Sequence, residues 1–441
     1  MVKVVFPFAS LEPGKALVAG DLIMDTYTLG KVHRISPEAP VPILNVVGKE
    51  DARPGGAGNV AMGLVAMGME VVALGRTGKD RAGKQIRKCL ASNGVDISGI
   101  VEEDYYQTPI KNRIISSNQQ LIRVDWEKLS TLPENLEQLL IERIPSLLEG
   151  VKVVAISDYG KGFLSTCLLA ALMEAAKERK IPVVVDPKGE DFSKYDGADV
   201  LKPNFSEAIA AVHLPATANL EDIAAKLFQV SRAKHLLITR SEDGISVFHR
   251  DKRVRKDFPV KVKEVNDVTG AGDTVLVTMA CAVANGLTIE EGAKLSNFAA
   301  SIAIEHMGCV HVTLSQLARR LLDEDVVNKV FEEEHLYVLQ QVLKERRYKI
   351  LGISSAEGLT TSVFSNISNL SKEKNTDLVL YIREPNPDEK FIEILSSLHD
   401  VDLIVIKGES LRSLCRLIHP EEVYYMDGEN LRLLDHSESL I

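Results

Sequence analysis

A segment of eight residues late in the chain, Asp-Val-Thr-Gly-Ala-Gly-Asp-Thr at 267–274, combines small residues with two carboxylates and runs straight into an apolar helical pattern. Small residues let a backbone approach a phosphate closely, and a helix N-terminus directs free N–H groups and a positive dipole end at that anion. Asp273 falls at the start of the predicted helix, where a carboxylate can accept a proton from a hydroxyl group while N–H groups neutralise a phosphoryl group in transfer. The segment predicts phosphoryl transfer; the structural alternative, a glycine-rich turn capped by Asp, is also common.

A second glycine-rich segment, Arg-Pro-Gly-Gly-Ala-Gly-Asn-Val-Ala at 53–61, also leads into a helical pattern. Its glycines permit close approach, and the Asn59 amide offers both a donor and an acceptor to a polyol. The 267–274 segment lacks the Gly-Lys-Ser/Thr of a Walker A loop and is no G-x-G-x-x-G turn after a first strand, so a nicotinamide dehydrogenase is disfavoured. The two segments together are a much stronger indication of function than either one alone.

The elements expected to position these segments alternate between strands and helices. Strand patterns occupy Lys15–Ile23, Val151–Ser157, Pro182–Asp186 and Ala233–Thr239, and helical patterns follow at Ser165–Arg179 and Asp273–Ala284. This alternation predicts parallel βαβ units in a helix-covered sheet. Two stretches, Val41–Val47 and Lys111–Asp125, are extended, show polar alternation and have no helical pattern close by. They predict a small, separate β-lid over one edge of the sheet.

The two glycine-rich segments together resemble the paired signatures of the ribokinase-like (PfkB) carbohydrate kinases. Further segments resemble the heptose-7-phosphate kinase half of bacterial ADP-heptose synthases: 18–21 with Asp25, 34–42, 118–123, 157–162 and 186–189. The resemblance extends over roughly Ala16 to Val312 and implies a ribokinase-like three-layer α/β sandwich with a small β-lid. It also implies a kinase that uses ATP and Mg²⁺ to phosphorylate D-glycero-β-D-manno-heptose 7-phosphate at C1, a step in the synthesis of lipopolysaccharide precursors.

The resemblance implies a role for each matched residue. Asp273 would be the catalytic base, and the anion hole would be formed by Gly270, Ala271 and Gly272. The sugar hydroxyls would be held by Asp21, Asp25, Gly56 and Asn59. The nucleotide site would be lined by Asn204, Glu207, Thr239, Arg240, Ser241, Gly244 and Asn297. Glu207 would act on Mg²⁺ indirectly, and Asp267 matches a place where related kinases can use a monovalent cation such as K⁺.

The phosphate that such a substrate already carries would need cations. Four candidates lie in segments that match the heptose kinases, namely Arg113, Arg123, Lys161 and Lys188. Arg pairs with phosphate through a bidentate fork, whereas Lys acts as a point charge. By residue type alone each is more often a solvated surface charge, and the matched motifs favour Lys188 and Arg123 ahead of the other two.

The end of the chain predicts a second domain. After a kinase domain at 1–325 and a helical linker at 326–346, the strand–helix alternation restarts and predicts a smaller Rossmann-like α/β domain at 347–441. In the bifunctional family this domain is a nucleotidyltransferase, whose H-x-G-H motif stabilises the nucleotide phosphates. Here the segment 354–363 after the first strand has no histidine, and Glu357 would repel a triphosphate. The resemblance therefore predicts a nucleotidyltransferase-like fold that lacks adenylyltransferase activity.

Composition restricts the class of protein further. The chain of 441 residues has 52 Lys and Arg against 62 Asp and Glu, a formal net charge of −10, which disfavours a uniformly basic nucleic-acid binder. The longest apolar runs are far shorter than the roughly 20 residues of a membrane helix. Five scattered cysteines suit a reducing compartment. We therefore expect a cytoplasmic enzyme, without nucleic-acid or membrane partners, that forms a homodimer through its lid strands.

Four functions stay open at this point. The first is the heptose-phosphate kinase, and the second is a kinase of the same fold for another sugar or a nucleoside. The third is a complete bifunctional ADP-heptose synthase, whose second domain would use unfamiliar residues. The fourth is a non-catalytic regulatory protein, which the intact Asp273 and its anion hole argue against.

Overall fold

The computed structural model describes residues 11–48, 51–116, 119–252, 254–260, 267–306, 308–324, 329–332, 336–344, 346–373, 376–384, 386–406 and 410–434. The chain forms two compact units, one of Pro13–Val312 and the other of Met1–Glu12 with Thr313–Ile441. This division lies before the predicted domain end at 325, because the helix Leu314–Glu324 packs on the helix Leu336–Leu343 of the second unit. The described part of the predicted linker, 326–346, likewise contains a strand of the second unit's sheet.

The strands of the first unit form a large sheet and a small one. The large sheet contains β1 (Lys15–Gly20), β5 (Glu70–Gly78), β6 (Asp96–Glu103), β9 (Val151–Ser157), β10 (Val183–Asp186), β11 (Val200–Leu201), β12 (His235–Thr239), β13 (Ile245–His249) and β14 (Arg255–Phe258). The small sheet contains β2 (Leu22–Ile35), β3 (Pro42–Val46), β4 (Asp51–Gly56), β7 (Ile110–Ser116) and β8 (Gln119–Trp126).

The large sheet has the order β14-β13-β12-β11-β10-β9-β1-β5-β6, parallel from β12 to β6, with β13 and β14 added antiparallel at one edge. The central strands are nearly continuous apolar runs: Val153, Val154, Ala155 and Ile156 of β9 are fully buried. Such runs are typical of strands covered by helices on both faces. The predicted α/β fold with parallel strands is therefore confirmed.

The small sheet is the predicted lid. Its order is β3-β2-β7-β8, and β4 also pairs with β2. The segments predicted to be extended, Val41–Val47 and Lys111–Asp125, form β3 and the β7–β8 hairpin. β7 is partly buried in this sheet, whereas β3 and β8 at its edges are largely exposed, which agrees with their polar content.

The helices of the first unit are α1 (Ala57–Ala66), α2 (Arg81–Ser92), α3 (Glu134–Leu147), α4 (Thr166–Glu178), α5 (Phe205–Val212), α6 (Leu220–Ser231), α7 (Ala271–Ala284) and α8 (Ile289–Ile304). Each glycine-rich segment opens one of them, with the left-handed Gly56 (φ 57°) before α1 and Gly270 (φ 81°) before α7. The two helices pack closely, since a Cβ on Gly63 would lie 2.8 Å from Val277. This packing brings together two segments that are far apart in sequence.

The second unit has its own sheet and core. Its elements are α9 (Leu314–Glu324), β15 (Val330–Phe331), α10 (Leu336–Leu343), β16 (Arg347–Ile353), α11 (Thr361–Leu370), β17 (Thr376–Ile382), α12 (Glu389–Ser397), β18 (Leu403–Val405), α13 (Leu411–Ile418), β19 (Glu422–Asp427) and β20 (Asn430–Leu433). The sheet order β15-β18-β17-β16-β19-β20 is parallel except for β20. Within the described ranges, none of the helices of either unit has the length and apolarity needed to cross a membrane.

Candidate active site

Asp273 is the centre of a buried hydrogen-bond network in the first turn of α7. Its side chain accepts a hydrogen bond from Asn59 Nδ2 on Oδ2 (2.7 Å) and one from the Tyr159 hydroxyl on Oδ1 (2.9 Å). Asn59 comes from α1 and Tyr159 from the loop after β9, so three separate elements fix the carboxylate. Burial raises the pKa of Asp273, and the two hydrogen bonds partly oppose that shift. A buried carboxylate that has a raised pKa and is held in one orientation is suited to accept a proton.

Two members of this network, Tyr159 and His311, were not predicted from the sequence. Tyr159 lies in a segment that matched the heptose kinases, but no role was predicted for its hydroxyl. His311, which is unsuited to zinc binding on its spacing, places Nε2 3.0 Å from Asn59 Oδ1. Burial lowers the pKa of His311, so the neutral ring donates to Asn59 and turns the amide nitrogen toward Asp273. Both residues are far from Asp273 along the chain, so the sequence alone did not indicate that they would contact its network.

Lys202 is a third residue of the candidate site that was not predicted from the sequence. It follows β11, is almost completely buried, and forms an ion pair with Asp186 Oδ2 at 2.9 Å. A Cβ built on Gly272 would lie 3.7 Å from Lys202 Nζ, so the ammonium group faces the glycine backbone where α7 begins. The predicted anion hole of Gly270, Ala271 and Gly272 therefore has a cation beside it. The sequence feature that could have identified Lys202 is its position directly before Pro203-Asn204, at the start of the predicted nucleotide element.

Carboxylates next to Lys202 form an oxygen donor set. Burial raises the pKa of Asp186 to about 7, although Lys202 opposes the shift, and Asp273 and Glu207 lie close enough to add to it. Glu207 accepts hydrogen bonds from Lys188 Nζ (2.8 Å) and from the Asn204 backbone N–H (3.0 Å). Oxygen ligands are those that Mg²⁺ prefers, and a divalent cation would stabilise the charged form of Asp186. Within the described residues no group of three or more such side chains is placed to hold a metal ion, so Asp186 and Glu207 would hold Mg²⁺ only together with the nucleotide phosphates.

Four of the seven predicted nucleotide residues line one cleft of 620 Å³, namely Asn204, Thr239, Arg240 and Ser241. The Asn204 side chain caps α5, with Glu207 completing the capping box. Arg240 is held by Asp243 and Asp257. Gly244 and Asn297 both approach the Phe258 carbonyl, which accepts a hydrogen bond from Asn297 Nδ2 (2.6 Å). Gly244 and Asn297 thus meet at the end of β14 and do not line the cleft.

The residues predicted to hold sugar hydroxyls have different surroundings. Asp21 accepts backbone N–H bonds from Tyr159 (2.9 Å), Lys161 (3.0 Å) and Phe163 (3.3 Å), so its carboxylate holds the loop after β9 in place. Asp25 Oδ1 accepts from Arg113 Nη1 at 2.5 Å. Gly56 lies against the Asp21 carbonyl, where a Cβ would come within 2.5 Å. In this arrangement Asp21 is a positioning residue, while Asn59 directly contacts the predicted base.

Each predicted phosphate-binding cation has a carboxylate partner within the molecule. The pairs are Arg113–Asp25 (2.5 Å), Arg123–Asp125 (2.9 Å), Lys161–Glu127 (2.7 Å) and Lys188–Glu207 (2.8 Å). Lys188 is thereby joined to the predicted nucleotide element, whereas the two arginines belong to the lid strands β7 and β8.

Asp267 accepts hydrogen bonds from Thr269 N (2.9 Å), Thr269 Oγ1 (2.7 Å) and Gly308 N (2.9 Å). Burial would raise the pKa of Asp267, but these hydrogen bonds lower it overall, so the carboxylate is charged. The preceding residues 261–266 lie outside the described ranges. The monovalent cation predicted beside Asp267 stays a prediction.

The chain is similar to several curated proteins. The bifunctional protein HldE of Trichlorobacter lovleyi is 42% identical over 353 residues, which cover 79% of this chain and 70% of that protein. HldE of Geobacter sulfurreducens is 40% identical over 316 residues, 71% of this chain and 64% of that protein. HldE of Campylobacter jejuni subsp. doylei is 35% identical over 419 residues, 91% of this chain and 87% of that protein. The match therefore covers less than two thirds of the Geobacter sulfurreducens protein but most of the Campylobacter jejuni protein.

Solved structures agree on the fold of the first unit. Phosphofructokinase-2 from Escherichia coli in complex with potassium superimposes with a TM-score of 0.59 at 19% identity, covering 73% of this chain and 99% of that chain. Arabidopsis thaliana ribokinase complexed with ribose and ATP gives a TM-score of 0.55 at 19% identity, covering 70% and 99%. The pfkB family carbohydrate kinase model matches residues 17–316, which include the whole Asp273 network. The chain therefore belongs to the pfkB family of carbohydrate kinases and is a sugar kinase.

Proposed function

We propose that this kinase transfers the γ-phosphoryl group of ATP to the C1 hydroxyl of D-glycero-β-D-manno-heptose 7-phosphate, giving ADP and the 1,7-bisphosphate. The observation that carries the reaction type is the buried Asp273, held by Asn59 and Tyr159 at the N-terminus of α7. The segments that resemble heptose-7-phosphate kinases support the substrate, and so does the similarity to proteins named HldE. ATP and a reducing interior are available in the cytoplasm, where we expect the enzyme to act.

The proposed chemistry assigns one task to each group. Asp273 accepts the proton of the C1 hydroxyl, whose oxygen forms a bond to the γ-phosphorus while the bond from that phosphorus to the β-phosphate oxygen breaks. The N–H groups at the start of α7 and the Lys202 ammonium stabilise the charge on the transferring phosphoryl group. Mg²⁺, when bound, would neutralise charge on the nucleotide phosphates, and Asp186 and Glu207 would hold it. Asp21 keeps the loop that carries Tyr159 in position.

A substrate panel tests the proposal. ADP release from the purified chain with ATP and Mg²⁺ is measured with heptose 7-phosphate, fructose 6-phosphate and ribose. We expect the highest kcat/KM for heptose 7-phosphate. A higher kcat/KM for fructose 6-phosphate or ribose would instead support a kinase of the same family with another substrate.

We also propose that the second unit lacks adenylyltransferase activity. Adenylyl transfer would require the loop after β16 to donate hydrogen bonds to a nucleotide phosphate. Donors of this loop instead bind a carboxylate of the chain itself, that of Glu384. Glu384 accepts hydrogen bonds from the Ser354 hydroxyl and from the backbone N–H (2.9 Å) and hydroxyl (3.2 Å) of Ser355. The hydrogen bonds from this loop lower the pKa of Glu384 against the effect of burial, so it is charged and would repel a phosphate.

The full chain is therefore expected to form no ADP-heptose from ATP and heptose 1-phosphate. Charge develops on the α-phosphate and on pyrophosphate during adenylyl transfer, and donors must be free to stabilise it. The assay, with product detection by mass spectrometry, is best run on Asp273→Asn, because this variant should not consume ATP through the kinase. A bifunctional HldE in the same assay is the positive control.

A bifunctional enzyme is the second candidate function. The Campylobacter jejuni relative matches over 91% of this chain, so the similarity extends into the second unit. Formation of ADP-heptose in the assay above would establish this alternative and would contradict the proposed loss of activity.

The lid offers a surface for the expected homodimer. Edge strands β3 and β8 and the lid turns expose apolar side chains, namely Ile35, Val41, Val46, Leu121, Ile122 and Trp126. Apolar groups on unpaired edges favour association with a second sheet. We expect Val46→Asp combined with Ile122→Asp to halve the mass measured by light scattering, while Val230→Asp, on the exposed part of α6, leaves it unchanged. A monomeric wild type, or a double variant that keeps its dimeric mass, would contradict a lid dimer.

A further inference from the structure

One face of the lid carries charged side chains on three neighbouring strands. In the strand register, Lys111 of β7 lies opposite Asp25 of β2 and Asp125 of β8. Two residues further along, Arg113 lies opposite Tyr27 and Arg123. Because side chains alternate along a strand, these six residues project from one face of the sheet, which we call the charged lid face.

Two ion pairs use both carboxylates of the charged lid face. Arg113 binds Asp25 at 2.5 Å, and both side chains are largely buried. Arg123 binds Asp125 through several contacts, of which the Nε–Oδ1 contact is 2.9 Å. Three cations thus face two carboxylates, and the cation that remains is Lys111. Within the described residues, its ammonium group has no ion pair and no hydrogen bond.

Lys111 is also the lid cation that directly contacts the catalytic network. Its Nζ lies 5.1 Å from the centre of the Tyr159 ring, and the hydroxyl of that ring donates to Asp273. The side chain is only partly exposed. Burial, and then the nearby charge of Lys161, lower the pKa of Lys111. The charges of Asp25 and Asp125 oppose this shift, but both carboxylates are already paired with arginines, so they and the ring face compensate the desolvation of Lys111 only in part.

We propose that Lys111 is the specificity-determining residue for the phosphate that the sugar already carries. The proposal rests on the proposed function, because it supposes a phosphorylated sugar. A phosphate placed against Lys111 lies one tyrosine ring away from the base, so the sugar can extend from the charged lid face to Asp273. The anion supplies the missing counter-charge without breaking an existing ion pair.

For the four candidate cations from the sequence analysis, binding the same phosphate would cost more free energy, because each already has a carboxylate partner. If Arg113 turned to a phosphate, it would leave Asp25 buried without its partner, which is strongly unfavourable. Lys188 pairs with Glu207 of the predicted nucleotide element. A phosphate that bound Arg123 would compete with Asp125 for the guanidinium, and one that bound Lys161 would compete with Glu127 for the ammonium group.

Lys111→Met tests the inference, since methionine keeps an unbranched apolar side chain and removes the charge. ADP release from the full chain is measured with heptose 7-phosphate and with unphosphorylated heptose. We expect the KM for heptose 7-phosphate to rise about tenfold or more, which is the loss of one charge-assisted contact. The kcat/KM for unphosphorylated heptose and the KM for ATP should stay within about twofold. Lys111→Arg should recover most of the affinity.

Matched variants separate this role from others. Lys84→Met, at an exposed position of α2, should change nothing, and Arg123→Met and Lys188→Met should raise the KM for heptose 7-phosphate less than Lys111→Met does. If the wild type uses heptose 7-phosphate but Lys111→Met has an unchanged KM, or either other variant has the larger effect, the inference is overturned and the proposed function stands. If the wild type prefers unphosphorylated sugars, the proposed function fails and the inference fails with it.

Discussion

Asp273→Asn is expected to lower kcat by about 10²–10⁴-fold, the usual contribution of a positioned general base. The amide has the shape of the carboxylate but cannot accept the proton of the sugar hydroxyl. The hydrogen-bond network should survive, because the oxygen of the introduced amide can accept from Asn59 Nδ2 and its nitrogen can donate to the Tyr159 hydroxyl, which rotates freely. Steady-state ADP release measures the loss of kcat, and equilibrium titration should show that ATP binding changes only a few-fold.

Thermal unfolding provides the control for Asp273→Asn. Burial raises the pKa of Asp273, so at neutral pH the charged carboxylate costs stability, and the neutral amide should not lower the melting temperature. Asp199→Asn, which changes a carboxylate that binds the backbone at the start of β10, should retain the wild-type kcat. A variant Asp273→Asn that keeps more than about a tenth of the wild-type kcat would exclude Asp273 as the base.

Lys202→Met is expected to have the second-largest effect, a loss of about 10²–10³-fold in kcat with a much smaller change in the KM for the sugar. This is the typical cost of removing one group that stabilises charge in the transition state. The reason is the position of Nζ beside Gly272, where the γ-phosphoryl group should pass between the nucleotide and the sugar. Single-turnover kinetics at saturating ATP would separate the chemical step from product release.

Removal of Lys202 also leaves Asp186 without its partner, so stability must be measured in parallel. Lys194→Met is the matched control, because Lys194 forms a comparable ion pair with buried Asp158 outside the proposed phosphoryl path. We expect both variants to lose stability and only Lys202→Met to lose kcat beyond tenfold. Equal losses of kcat in the two variants would show that Lys202 acts only through the ion pair.

The sequence by itself determined the architecture of the first unit and the identity of its central groups. Apolar runs with short turns produce buried parallel strands wherever helices cover both faces. Both glycine-rich segments open helices, and Gly56 and Gly270 have the positive φ directly before α1 and α7 that glycine adopts without strain. These features are local, so residue types and spacing are sufficient to predict them. The lid followed in the same way from the polar alternation of Lys111–Asp125.

Only the tertiary structure decided which charged groups are free to act. Arg113 and Asp25 are separated by 88 residues, and strand register alone brings them into an ion pair. Asp25 and Asp125 flank Lys111 in the same register, but both pair with arginines, so Lys111 has no ion pair within the described residues, although residue type did not distinguish it from its neighbours. Tyr159 and His311 enter the hydrogen-bond network of Asp273, and Lys202 comes to lie beside Gly272, through the packing of distant elements. The strength of a charge depends on burial and on partners within a few ångströms, and the folded chain rather than the order of its residues sets those distances.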